Sequence, residues 1–192
     1  MKEDEFISLL HKSYNRLDSN LIDEYHRSLS FQDALFDRWE RANKLGFGDG
    51  ASIYNSAAVF GSVEVGKKTW IGPNCILDGS GGKLCIGDTC SISAGVQIYT
   101  HDTVAWALTG GKRKARQAPV EIGSNTYIGS QSIIVAGVKI GSGSVIAASS
   151  VVNVDVPDNS IYGGVPVQRL GSVEIVDDSP ILLYDSGKKK IL

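Results

Sequence analysis

Aliphatic residues recur every six positions along most of this chain. The series runs Val59, Val65, Ile71 and Leu77, resumes at Ile86, Ile92 and Ile98, and resumes again from Ile122 through Ile128, Ile134, Ile140 and Ile146 to Val152. A glycine follows the aliphatic residue at Gly66, Gly72, Gly87, Gly123, Gly129 and Gly141. Two positions before the next aliphatic residue stands a small or β-branched one: Thr69, Cys75, Thr126, Ser132, Val138, Ser144 and Ser150. Each hexad reads as a short strand plus a turn, too small to bury its own apolar side. Stacked coils would bury a continuous aliphatic column, which predicts a β-solenoid. The glycines and small residues are expected to serve the turns, where the chain bends sharply and some φ angles are positive.

Two interruptions break the period. The stretch Leu77–Cys85, "LDGSGGKLC", is three residues longer than one hexad. After Ile98 no consistent hexad returns until Ile122, so Thr103 to Pro119 predicts a protruding loop. Before the repeats, residues 1–46 are expected to be a helical segment. Phe6, Leu9, Leu10, Tyr14 and Leu17 fall at helical spacing. A second helix is expected from Ser19 or Asn20. A third would use Ser30 as N-cap and end at Gly46, placing Leu35 and Trp39 on one face. Residues 171–192, with "VEIV" and "ILLY", predict a short C-terminal hairpin or tail beyond a repeat domain spanning 47–170.

Three segments resemble the hexapeptide-repeat acyltransferases, in particular their sugar and surface-polysaccharide O-acetyltransferases. They are "THD" at 100–102, the coil run at 120–152, and "DVPDNSIYGGVPVQRL" at 155–170. The resemblance implies a mainly β fold, a left-handed parallel β-helix with three hexads per coil. Ile122 would then stack on Ile140, Ile128 on Ile146 and Ile134 on Val152. It also implies acetyl-CoA as the acyl donor and a homotrimer with active sites between neighbouring subunits. Handedness comes from the resemblance; the spacing does not carry it.

His101 is the single histidine of the repeat region; His11 and His26 lie in the helical head. By resemblance it is the general base. An imidazole titrating near neutrality takes a proton from an attacking hydroxyl or amine and returns it to the leaving thiolate. Asp102 is a candidate to orient the ring, a task a backbone carbonyl would also perform. The resemblance further implies the backbone N–H of Ser130 as oxyanion donor and the pantetheine arm running near Ala148, Asn153 and Val154. Asn153-Val154 stands where Thr-Lys is frequent in the family, Val167 replaces a small alanine, and Gln168 stands where a basic residue is frequent. Arg169 is therefore a candidate for the CoA phosphates, against a surface salt bridge. Asp78 and Trp106 are candidates for acceptor binding. Lys112, Arg113, Lys114 and Arg116 offer charge to CoA or nucleotide-sugar phosphates, or form a solvated loop.

Composition narrows the field. A net charge of −2 argues against a nucleic-acid partner. No apolar run approaches the roughly 20 residues of a membrane span. The acidic start "MKEDEF" predicts no secretory signal. Three cysteines without a C-x-x-C pair predict reduced thiols in a cytoplasmic protein and no metal site. One coil histidine cannot supply the three ligands of a γ-type carbonic anhydrase on the same fold. The remaining readings are O-acetylation of a sugar or polysaccharide precursor, N-acetylation of a nucleotide-linked amino sugar, and a non-catalytic β-helix binding module.

Overall fold

The computed structural model describes residues 3–191. Three helices form the head: α1 (Glu3–Tyr25), α2 (Phe31–Leu35) and α3 (Arg38–Lys44). The break expected at Ser19 or Asn20 is absent. The half-buried residues Leu10, Tyr14, Leu17 and Leu21 continue at 4-3-4 spacing straight through that point, so packing of one face overrides the capping tendency of Ser and Asn. The Tyr14 hydroxyl donates to Leu29 O at 2.8 Å and its ring lies 5.8 Å from that of Phe31, folding α2 back onto α1. Ser30 opens only the one-turn α2. The third helix is capped by Asp37, whose Oδ1 accepts the N–H groups of Trp39 and Glu40 at 2.9 and 2.8 Å. Leu35 and Trp39 thus belong to different helices. Gly46 ends α3 at φ +73°, as expected. The Arg41 guanidinium fastens the head to the first coil, donating to Tyr54 O and, at 2.8 Å, to Ala57 O.

From Ser52 the chain winds as a parallel β-helix of the left-handed hexapeptide type, three faces to a coil. Ile53, Ile71, Ile92, Ile128 and Ile146 stack on the first face. Val59, Leu77, Ile98, Ile134 and Val152 stack on the second. Val65, Ile86, Ile122 and Ile140 stack on the third. The three expected pairs, Ile122 on Ile140, Ile128 on Ile146 and Ile134 on Val152, are all present. These side chains form the core; Ile71, Ile92, Ile128 and Ile134 are fully buried.

The small residues of the hexads bond forward to the next coil. Thr69 Oγ1 donates to Gly87 O at 2.7 Å, Ser132 Oγ to Ala147 O at 3.0 Å, and Ser144 Oγ to Pro157 O at 2.8 Å. Each hydroxyl thereby keeps its polarity inside the column. The glycines act differently from expectation. Gly87, Gly123 and Gly141 do not have positive φ; a Cβ there would sit 2.6, 2.5 and 2.3 Å from the backbone nitrogen of Ser124, Ser142 and Asp158. They permit close approach of successive coils. Positive φ falls at other turn positions: at Lys68, Asn74, Thr89, Asn125, Gln131, Ser149 and Asn159, and, as expected of glycine, at Gly95, Gly137 and Gly143.

The last coil is closed on every face. Val156 bridges to Ile140, the strand Ser160–Gly163 extends the first face, and Val167 N donates to Val151 O at 3.0 Å on the second. Three antiparallel strands follow: Gln168–Val176, Ser179–Tyr184 and Lys189–Ile191. This is one strand more than the expected hairpin, and its first strand runs across Leu170. Among the described residues no helix is long and apolar enough to cross a membrane.

Candidate active site

Departures from the hexad collect at one corner, where the second face turns into the third. The first coil carries a register shift between Gly61 and Val63. The second carries the three extra residues of the strand Ile76–Ile86. The third carries the long excursion. Its ends pair antiparallel, His101 opposite Gln117 and Asp102 opposite Arg116, so the excursion is a hairpin, and its outer part holds α4 (Val104–Leu108). The registers Ile86–Ile122, Ile92–Ile128 and Ile98–Ile134 all step across it without slippage.

His101 therefore stands directly beside the inserted residues of the coil below. Its Nδ1 lies 3.4 Å from Asp78 Oδ2 and 3.5 Å from Ser80 Oγ. The Asp78 side chain is only 10% exposed. Its Oδ1 accepts the backbone N–H of Ser80 at 2.9 Å and the Ser80 hydroxyl at 2.6 Å. Thr100, fully buried, ties the two segments together: its hydroxyl donates to Asp78 O at 2.8 Å and accepts Gly81 N–H at 3.0 Å. A Cβ on Gly81 would come within 2.4 Å of His101 Cβ, so only glycine lets the insertion pass behind the ring.

The carboxylate at the imidazole is thus Asp78, the residue expected to contact the acceptor, and not Asp102. His101 and Asp102 are consecutive in a strand, and consecutive strand side chains point to opposite sides. Asp102 Oδ1 accepts Val104 N–H at 3.1 Å, and Oδ2 lies 3.7 Å from Arg116 Nη1. Ser130 and Ala148 sit together on successive coils, where Ser149 N donates to Ser130 O at 2.8 Å, but at the corner leaving the first face. Asn153 and Val154 share the corner of His101, exposed and two coils further along, about 10 Å at the usual strand spacing. Arg169 is engaged elsewhere: its Nη1 donates to Asp185 Oδ1 and Oδ2 at 2.7 and 2.5 Å. Trp106 is 53% exposed on α4, and Lys112, Arg113 and Lys114 are exposed beyond it.

Ser80 is the residue that sequence reasoning missed. Its signal is the Asp-Gly-Ser run inside the insertion, where an aspartate accepts from the backbone two residues on. The cysteines add no chemistry at this corner. Burial pushes the Cys75 thiol up to about 11 and raises that of Cys90. A groove of about 980 Å³ runs along the third face past Glu64, Glu121, Lys139 and Asp155, and His101 does not line it.

Known proteins share the repeats and the fold. The family of bacterial transferase hexapeptide repeats (six repeats) matches residues 119–153. A protein of Staphylococcus aureus strain Mu50, provisionally named an acetyltransferase, is 36% identical over 114 residues, 59% of this chain and 56% of its own. Serine acetyltransferase 2 of Arabidopsis thaliana is 31% identical over 131 residues, 68% of this chain and 39% of its own. The chain therefore spans about half or less of the length of these curated relatives. Among solved structures, a hexapeptide-repeat acetyltransferase of Vibrio cholerae complexed with acetyl coenzyme A superposes with a TM-score of 0.56 at 28% identity, covering 86% of this chain and 88% of that one.

Proposed function

We propose that this chain, a hexapeptide-repeat protein of the acyltransferase type, transfers the acetyl group of acetyl-CoA to a hydroxyl of a sugar or polysaccharide precursor in the cytoplasm, with His101 as general base. The observation that carries the reading is the placement of His101. Its Nδ1 faces the Asp78 carboxylate, which leaves Nε2 to meet an acceptor. The acceptor oxygen attacks the thioester carbonyl carbon while Nε2 takes its proton. The tetrahedral intermediate then expels the CoA thiolate as the C–S bond breaks, and the imidazolium returns the proton to sulfur. The products are the acetyl ester and free CoA. Asp78 faces the positive charge that forms on the ring.

The donor is supported by the likeness to the Vibrio cholerae enzyme complexed with acetyl coenzyme A. In this reading the pantetheine arm follows Ala148, Asn153 and Val154, the Ser130 N–H receives the oxyanion, and Trp106 and the basic hairpin meet the acceptor. Within one chain Ser130 and His101 occupy different corners. A homotrimer, with each site between two subunits, joins them. Arg169 is paired with Asp185 at the surface, and this reading does not assign it to the CoA phosphates.

The test is release of free thiol from acetyl-CoA across sugars, nucleotide sugars and amino sugars. Turnover on a hydroxyl acceptor, lost by about 10²–10⁴-fold in His101→Ala with the oligomer intact, is the expected result. Turnover on an amine alone would make the enzyme an N-acetyltransferase. A His101→Ala variant as active as the parent would overturn the role of His101.

A further inference from the structure

We infer that Ser80 is a positioning residue that fixes the tautomer of His101 through Asp78, an inference that rests on the general-base reading above. The three-residue lengthening of the second coil brings Ser80 and Gly81 against the next coil's histidine. The turn itself needs only the Ser80 backbone N–H, which already bonds Asp78 Oδ1 at 2.9 Å. The hydroxyl adds a second, shorter bond to the same oxygen, 2.6 Å. Two donors on Oδ1 restrict rotation of the carboxylate and keep Oδ2 beside His101 Nδ1, 3.4 Å away.

The single hydroxyl proton is committed to Asp78, so Ser80 presents only a lone pair to Nδ1 at 3.5 Å. Nδ1 then faces two acceptors and no donor. A neutral imidazole satisfies them only by carrying its proton on Nδ1, which leaves the Nε2 lone pair free. Ser80 touches neither acetyl-CoA nor acceptor in this scheme; it acts on the base through the carboxylate. Asp78 is nearly buried, which limits replacement of the hydroxyl by bulk water. Ser80 itself lies at the surface, so alanine there leaves the core intact.

The experiment combines His101 ring ¹⁵N shifts in the free protein with a kinetic double-mutant cycle of Ser80→Ala and Asp78→Asn. The expected result is an Nδ1–H tautomer in the parent, a mixture in Ser80→Ala, and recovery in Ser80→Thr. Ser80→Ala lowers kcat by about 10-fold, the size of one hydrogen bond to a charged group, with KM for acetyl-CoA unchanged. In the Asp78→Asn background, removing the hydroxyl changes kcat by no more than about twofold, because its route to the ring is already cut. An Nε2–H tautomer in the parent, an unchanged tautomer and kcat in Ser80→Ala, or losses that multiply in the double variant would overturn the inference. The ring shifts need no acceptor. A parent-like His101→Ala beside the expected shifts would therefore overturn the general-base reading and leave the placement of the proton standing.

Discussion

At the scale of single residues, the site turns on which carboxylate reaches an imidazole. Asp78→Asn is expected to lower kcat by about 100-fold with acetyl-CoA binding retained, and Asp102→Asn by far less, as measured by steady-state kinetics. His101 stood out through the resemblance of its "THD" segment to that of the acyltransferases; a lone histidine in a repeat does not by itself mark a base. Asp78 was legible as a neighbour through coil register, but not its role: adjacency in sequence favoured Asp102, and strand alternation reverses that. Ser80 was hidden because its function arises from an insertion whose path only three dimensions reveal. Arg169→Ala should leave KM for acetyl-CoA within about twofold, since an exposed pair with Asp185 contributes at most about 1 kcal/mol to stability and nothing to the donor. The Cys75 thiol supplies a pH test. Its ordinary value of 9.0 is raised to about 11 in the fold, so above pH 9 the unfolded chain loses a proton that the native state keeps. Stability should fall as pH rises from 9 to about 11, and Cys75→Ala should flatten that slope in denaturant titrations.

Elements obey a simpler logic. The hexad column was readable almost residue by residue, because a period of six with a buried aliphatic position leaves little freedom in register. Ile128→Ala, at a fully buried position, is expected to cost about 3 kcal/mol in chemical denaturation. The head was less legible. Ser19 and Asn20 look like a helix start, yet the stripe of Leu10, Tyr14, Leu17 and Leu21 carries α1 through them. The hairpin after His101 is separable from the coil it leaves. None of the α4 residues is buried, and the stacks on both sides of the excursion stay in register. Replacing residues 104–114 with a short glycine linker should therefore shift the melting temperature by only a few degrees. Loss of acceptor turnover with donor binding retained would locate the hairpin's contribution.

For the molecule as a whole, the three faces differ in what they show outward. The third presents Glu64, Lys83, Glu121 and Lys139 in cross-coil ion pairs, Lys83 to Glu64 at 2.7 Å and Lys139 to Glu121 at 3.2 Å. The second presents Ile76, Ile133 and Val151, half-buried, beside exposed Phe60 and Val154 at the corner of His101. In the proposed trimer this apolar face is the one to bury. Light scattering should report the mass of three chains, and Ile133→Glu should release monomers and abolish turnover together. The closed final coil has a separate consequence. A parallel solenoid ends in a row of unpaired N–H and C=O groups that matches its own opposite end, a template for end-to-end growth. Here Val156, Ser160–Gly163 and the antiparallel strands from Gln168 cover that row. The C-terminal strands thus cap one end of the rod and the head caps the other, where Arg41 holds Tyr54 O and Ala57 O, so the rods are blocked from stacking end to end at both.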